Sequence, residues 1–394
     1  MTSTASAALP ALTCQRGAFQ LPRDAHYFNC AYMGPLPRVS ERAGVEALTR
    51  KRLPTSIVAP DDFWDADKLR ALFSQLVNVG DPNRIAVQPG VSYAVATAAR
   101  NLQVEASQNI VLTHEQFPGN VYSWHRLATE SGAELRVVKP PEAAGRGAAW
   151  NERLLEAIDA STAVVAVPQV HWTDGTLFDL VEVGRRCREV GAALVVDATQ
   201  SVGAMPFDVE AVQPDVLTCA TYKWLLGPYS LSLAYFGPRF NDGVPLEETW
   251  IARNNSEDFQ NLVDYQDGYQ EGAVRYDVSE RANFFLLPIA AASLELLLEW
   301  KPERIQEYCA ELTREMLVEA GELGYSVERE RWRSSHLFGL RMPEGVDLAS
   351  LKQTLAERNV SASLRGSALR LAPNVYNDLD DVDALMGVLR EAVS

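Results

Sequence analysis

Lysine is the scarcest charged residue in this chain of 394 residues: Lys51, Lys68, Lys139, Lys223, Lys301 and Lys352 are the complete set. Positive charge as a whole is short, with 36 Lys and Arg against 52 Asp and Glu and a formal net charge of −16. Such a surface repels phosphate backbones and anionic lipid, which argues against nucleic acid and membrane surfaces as partners. The five cysteines (Cys14, Cys30, Cys187, Cys219, Cys309) are odd in number, scattered and without a CxxC pair. That argues against a disulfide framework or a zinc site and for a reducing compartment. The five histidines lack HxxxH and HExxH spacing, so no metal is expected. No run approaches the roughly 18 apolar residues of a membrane span. Met1 to Leu12 lacks the basic start and sustained apolar stretch of a secretory signal. The default reading is a cytoplasmic protein.

What is present is an ordinary globular composition, 47% hydrophobic and 22% charged. Short apolar runs alternate with helical patterns. Strands are predicted at 84–88, 109–113, 135–138, 163–167, 193–197, 216–218 and 231–236. Helices are predicted from Gly90 to about Leu102 and over 120–131, 153–158 and 180–190. Continuous Val/Ile/Leu runs suit strands covered on both faces, and strands separated by helices suit βαβ crossovers. The expectation is an α/β fold with a mainly parallel central sheet and helices on both faces. Residues 240–285 are polar and poor in strand signals. A helix over 287–300 ends at Lys301-Pro302. The last ninety residues read helix, strand, helix, strand, helix, a smaller α+β domain. The expected division is 24–285 for the large domain and 286–394 for the small one, with residues 1–23 packing on the latter.

In open α/β sheets ligands sit beyond the carboxyl ends of the parallel strands. Asp197 ends the run Val195-Val196, with Gln200 three residues on. Between Val216 and Pro238 the only charged side chain is Lys223, in Thr221-Tyr222-Lys223-Trp224-Leu225-Leu226. Desolvation lowers a lysine pKa and leaves a nucleophilic amine, the chemistry of a Schiff-base lysine. An isolated lysine there would otherwise snorkel to the surface or pair with a carboxylate. Asp197 changes the balance. A pyridoxal phosphate (PLP) site needs a lysine, a carboxylate on the ring nitrogen and a phosphate cradle. Gln88-Pro89-Gly90-Val91-Ser92 lies at a strand-to-helix turn, where free N–H groups and the helix dipole favour an anion. Taken alone, Ser92 could equally be a helix cap.

The order and spacing of these motifs resemble the class V aminotransferase group of fold-type-I PLP enzymes, which includes kynureninase, cysteine desulfurases and isopenicillin N epimerase. The resemblance covers roughly residues 26–386 and is most specific at Val195-Val196-Asp197-Ala198-Thr199-Gln200-Ser201 and Thr221-Tyr222-Lys223-Trp224. It implies that Lys223 carries the cofactor, Asp197 holds the pyridine nitrogen and Gln200 the ring hydroxyl. Gly90, Val91, Ser92 and Tyr222 would bind the phosphate. In Glu115-Gln116-Phe117-Pro118-Gly119-Asn120, Phe117 falls where the family stacks an aromatic on the ring. Trp172 and His171, in Val170-His171-Trp172-Thr173-Asp174-Gly175, would lie near the cofactor edge. In Ala368-Leu369-Arg370-Leu371, Arg370 matches the arginine that clamps the substrate α-carboxylate, with Arg365 a second choice and Asn29 a further substrate contact. A homodimer with shared active sites is also implied.

Two departures narrow the reading. Residues 328–370 contain no cysteine, which argues against a desulfurase working through the usual persulfide. The segment Gly272 to Glu280 matches the one a partner subunit offers to the phosphate, yet reads Ser279-Glu280 where several relatives have Gly-Thr. Transamination is the first reading by family; a kynureninase-like or C–S lyase, or an epimerase, is the alternative. A catalytically silent PLP-binding module is disfavoured by the intact set Lys223, Asp197 and Arg370. A nucleotide-binding oxidoreductase lacks its GxGxxG turn.

Overall fold

The computed structural model describes residues 10–142, 145–366 and 368–394. The reading of Met1 to Leu12 therefore lies, up to residue 9, outside the described residues. Among the described residues twelve strands run in chain order: β1 His26–Tyr27, β2 Ile85–Gln88, β3 Asn109–Thr113, β4 Glu134–Val138, β5 Thr162–Pro168, β6 Ala193–Asp197, β7 Val216–Ala220, β8 Ser232–Phe236, β9 Phe338–Arg341, β10 Val360–Ser361, β11 Ser363–Arg365 and β12 Ala368–Leu371. Seven of them form the central sheet in the order β2-β8-β7-β6-β5-β3-β4. Only β8 runs against the others, pairing antiparallel with both β2 and β7.

Strand residues alternate between two buried cores, one on each face. Val111, Val165, Val167, Leu194, Val196 and Leu217 enter one core. Ile110, Leu112, Val164, Ala166, Ala193 and Val195 enter the other. A period of two with apolar residues at both phases means that helices must cover both sides of the sheet. The second core is closed by Ala94, Val95 and Ala98 and by Trp124 and Ala128. These come from the helices Val91–Asn101 and Tyr122–Ser131.

Two helices are absent from the sequence expectations, α1 (Arg38–Arg50) and α2 (Asp61–Leu76), and the second partly closes the first face. The apolar spacing of Phe63, Ala66, Leu69, Phe73 and Leu76 buries one face of α2. The helix Leu286–Trp300 lies against both. It places Leu287, Ala290, Leu294 and Leu297 in the large-sheet core and so belongs physically with the large unit. The predicted helix 153–158 is longer than expected and begins at Arg146.

From Pro302–Glu322 onward the helix turns to a third core. Ile305 and Cys309 still touch the large unit, while Leu312 and Met316 face the small one. The small unit carries an antiparallel sheet in the order β11-β12-β9. On this packing we place the boundary near Lys301 rather than at 286. The N-terminal segment joins the small unit: Arg16 pairs with Asp381 at 2.9 Å, and Phe19 meets Tyr376 edge-on at 5.1 Å.

The strand-poor stretch 240–285 is tied to β2 by the Val278 N–H on the Val87 carbonyl at 3.0 Å, by Gln88 Nε2 on the Tyr276 carbonyl at 3.0 Å, and by one buried carboxylate. Asp277, 1% exposed, accepts from the Val87 N–H at 2.8 Å, from Arg281 at 2.6 Å and from Arg70. All three side chains are buried, so removing the acid leaves Arg281 without a partner among the described residues and Arg70 with only the Ile85 carbonyl and Asp67. Breaking a buried pair from one side costs about 3–5 kcal/mol. Asp277→Ala is therefore expected to lose stability of that order in chemical unfolding; unchanged unfolding would show that the anchor is not needed.

Candidate active site

Asp197 ends β6, where its neighbours across the sheet are Pro168 on β5 and Thr218 on β7. Its Oδ1 accepts the Thr199 N–H at 3.0 Å. Burial pushes its pKa up, more than Thr199 and the Lys223 charge pull it down. Lys223 lies in the turn that follows β7. The Gly227 N–H donates to the Thr221 carbonyl at 2.9 Å and the Leu226 N–H to the Lys223 carbonyl at 3.1 Å. From the other side the Gly34 N–H donates to the Tyr222 carbonyl at 2.9 Å. A Cβ on Gly34 would fall 2.1 Å from the Lys223 carbonyl oxygen, so glycine is required for that close approach. The Lys223 side chain is 6% exposed. Burial lowers its pKa to about 8, against the opposing pull of Asp197, with Arg370 and Arg365 lowering it further.

These residues surround a cavity of ≈ 290 Å³ at the carboxyl ends of β5, β6 and β7. Among the described residues, Lys223 is the only basic and Asp197 the only acidic side chain lining it. Gly90, Val91 and Ser92 bring the first turn of the helix Val91–Asn101, whose leading N–H groups have no intrahelical partner. Gly90 has extended backbone, and a Cβ there would meet no protein atom within 4 Å. Phe117 forms an apolar wall with Lys223 Nζ 5.2 Å from its ring centroid, and Trp172 meets Phe117 edge-on at 5.6 Å. Tyr222 lines the cavity half-buried, with Tyr229 at 4.5 Å. Gln200 is locked: its Nε2 donates to the Ala31 carbonyl at 3.0 Å and its Oε1 accepts from Trp224 Nε1 at 2.8 Å. A second buried contact holds its backbone, since His336 Nε2 donates to the Gln200 carbonyl at 2.7 Å.

The structure does not bring His171 to the cavity. It is fully buried, donates from Nε2 to the His114 carbonyl at 3.0 Å and meets the Thr173 hydroxyl at 2.7 Å through Nδ1. Both ring nitrogens are engaged and Trp150 covers the ring at 4.9 Å, so His171 braces the loop that carries Trp172. This corrects its assignment as a substrate contact. Arg370, 2% exposed, is not among the residues lining the cavity; it donates to the Trp172 carbonyl at 2.8 Å, and its Nε is buried without a partner. Asn29 does not line the cavity either; its Oδ1 accepts from Ser363 Oγ at 2.9 Å and from Arg370 Nη2 at 3.4 Å. Sequence reading passed over Thr199 and Gln116. Thr199 sits inside the quoted Asp-Ala-Thr-Gln run. Gln116 gives no sequence signal, and its cavity position comes from the turn at Glu115, where φ is +53°.

This combination of a parallel sheet, a lysine beyond one strand and a carboxylate ending its neighbour defines the fold-type-I class. The solved complex of the cystine C–S lyase C-DES with cysteine persulfide superposes with a TM-score of 0.82 at 19% identity, covering 94% of this chain and 98% of that one. Residues 65–249 match the family described as aminotransferase class-V. It is similar to isopenicillin N epimerase of Streptomyces clavuligerus, 25% identical over 392 residues, 95% of this chain and 96% of the relative. An uncharacterized aminotransferase of Bacillus subtilis is 25% identical over 312 residues, 79% of each.

The family's cofactor is PLP, and the donor set fits it. A buried carboxylate held by one backbone N–H suits a ring nitrogen that carries a proton. A neutralisable lysine suits the aldehyde, and a helix N-terminus suits a phosphate. The lowered Lys223 pKa sets a pH dependence. Only the free amine attacks, so capture of added PLP by cofactor-free protein should accelerate about tenfold per pH unit up to about 8 and level off there. An ordinary lysine would keep rising to about 10.4. Stopped-flow absorbance reads the profile, and a rise continuing past pH 9 would contradict the buried-amine reading.

Proposed function

We propose that the chain is a PLP-dependent enzyme that takes an amino acid, with transamination the first assignment. The observation that carries this is the lone pair of charges in the cavity, a lysine amine lowered to about 8 and a buried carboxylate at the adjoining strand end. Asp197 would hold the ring nitrogen, Gln200 the ring hydroxyl, Phe117 one ring face, and the turn Gly90–Ser92 with Tyr222 the phosphate. When bound, PLP supplies an aldehyde that condenses with amines and a ring that withdraws electrons from the substrate α-carbon.

The chain's own groups do the rest. Arg370 offers a planar guanidinium fork to the substrate α-carboxylate. Lys223 Nζ, once free, is the base that takes the α-proton and the acid that returns it. Phe117, Pro168 and Val170 carry no transferable proton, and among the described residues lining the cavity Lys223 holds the only amine. One amine moving the proton from the α-carbon to the cofactor side suits transamination, whereas inversion needs a second group such as the Tyr222 or Tyr229 hydroxyl to act from the other face. Epimerisation and C–S or β-elimination stay as the second reading: one relative matched over nearly its whole length is an epimerase, and the C-DES lyase shares the fold. Four of the five cysteines are buried, the fifth is exposed, and none lines the cavity among the described residues, which supports setting the persulfide route aside.

A homodimer belongs to this reading. Tyr229, Tyr122 and Tyr32 leave exposed aromatic surface, 63%, 71% and 62%, that a second subunit could cover. Whether Ser279 and Glu280 reach the partner's phosphate goes with that assembly; Glu280 is exposed, and the Ser279 N–H is taken by Glu247 at 2.7 Å. A cytoplasmic location is also part of the proposal. It is supported by five free cysteines and by the absence, among the described residues, of any helix long and apolar enough to cross a membrane.

Purified protein with PLP should be yellow, lose the visible band on borohydride treatment and fail to form it as Lys223→Ala. A colourless protein indifferent to PLP would sink the proposal. Asp197→Asn should stay yellow yet lose about 10²–10³ in kcat, the scale of removing one preorganised electrostatic contact. Product analysis for keto acid, ammonia, sulfide or the inverted amino acid then assigns the reaction.

A further inference from the structure

Gln116 and Trp172 form a wall shared by two cavities. The first is the cavity described above. The second, ≈ 520 Å³, continues between loops of the large unit at Glu115 and Asp174 and the residues Arg341 and Arg365 of the small one. Three guanidinium groups and two carboxylates line it, which leaves one positive charge in a protein of net −16. The charges are unevenly matched. Asp174 binds Arg146 at 2.5 Å and Arg341 at 3.3 Å, a closed cluster. Arg365 has no carboxylate within 4 Å among the described residues, even though Glu115 lines the same cavity. Its one hydrogen bond is from Nη1 to the Leu364 carbonyl at 2.9 Å, and its Nε is buried without a partner. The guanidinium stands 5.4 Å from the centroid of Trp172.

Gln116 supplies an independent sign. It is 8% exposed, its Oε1 is taken by the Phe117 N–H at 2.9 Å, and its Nε2 is buried with no acceptor. A buried donor without an acceptor costs about 1–3 kcal/mol. Placing an amide N–H and a charged fork on one wall without an acceptor is therefore poor design unless a ligand brings one. Arg370 donates to the Trp172 carbonyl, and its Nε is likewise unpartnered. Arg365 ends β11 and Arg370 lies within β12, so one hairpin carries both forks.

We propose that the second cavity is the subsite for the substrate's side chain and that it selects a side chain ending in a carboxylate, held by Arg365 and Gln116. The substrate is then a dicarboxylic amino acid, its α-carboxylate on Arg370 and its distal carboxylate on Arg365. This rests on the assignment of Lys223 and Arg370 above and adds the substrate class to it. The fork of Arg365 can bind a carboxylate bidentately, which a neutral amide cannot match. Glu115 opposes the second anion, so selectivity depends on Arg365 being present.

Calorimetry on the PLP-loaded protein with unreactive probes tests this without turnover. Succinate and glutarate are each compared with their monoamides. At least one diacid should bind about tenfold or more tighter than its monoamide, the scale of a hydrogen-bonded charged contact. Arg365→Gln should remove that difference while leaving monoamide affinity within about threefold, and Arg365→Lys should restore part of it. Arg370→Gln should weaken diacids and monoamides alike. Equal affinities for diacid and monoamide in the unaltered protein would overturn the proposal. So would an Arg365→Gln protein that loses both probes equally, which would make Arg365 a second ligand of the same carboxylate. A protein that forms no visible band with PLP fails the earlier assignment instead; a yellow protein without diacid preference fails only this one.

Discussion

The cavity depends on keeping an amine and a carboxylate together out of water. Lys223 and Asp197 are both buried, and desolvation moves each toward its neutral form while their mutual attraction resists. Desolvation is the larger effect on both, with the attraction offsetting part of it, and that leaves the lysine poised near 8 rather than locked as a cation. Deeper burial would leave an inert neutral pair; exposure would leave an ordinary protonated lysine. The sheet sets this balance by ending β6 on Asp197 and turning the chain just after β7, so that backbone geometry decides how much water each group keeps.

Holding that arrangement takes contacts from all over the chain. Gly34 presses its backbone against the Lys223 carbonyl from a loop almost two hundred residues away. Gln200 is pinned by Ala31, by Trp224 and, through its carbonyl, by His336. His336 also receives Gln306 Nε2 at 2.7 Å and stays neutral, its pKa lowered by burial to about 4. The first segment of the chain, the cofactor-side loop and the small unit thus meet at one residue. A shift of the small unit would be felt at Gln200, and Arg370 and Arg365 would move with it.

Much of the site was readable from residue types alone. A single lysine in an apolar run and an aspartate closing Val-Val are improbable unless something compensates them, and each was chosen for that reason. The strands were readable because both of their faces are apolar. The helices α1 and α2 were passed over although Phe63, Ala66, Leu69 and Phe73 carry the period, since they precede the strand and helix alternation that guided the reading. His171 was misread because its two partners, His114 and Thr173, satisfy it only after the loops have come together. Gln116 was hidden, and Arg365 was named only as a second choice for the α-carboxylate, for the opposite reason: what marks them is a missing partner, which no local pattern reveals.

The sequence by itself determined the class of chemistry. It places one nucleophilic amine, one carboxylate and one anion-binding turn at the ends of apolar strands, because buried charges are costly enough to stand out in any linear reading. Only the tertiary structure decided which polar groups are spent on the fold and which are left for a ligand. That division depends on partners far apart in the chain, and hydrogen-bond satisfaction is a property of distances that sequence order does not contain.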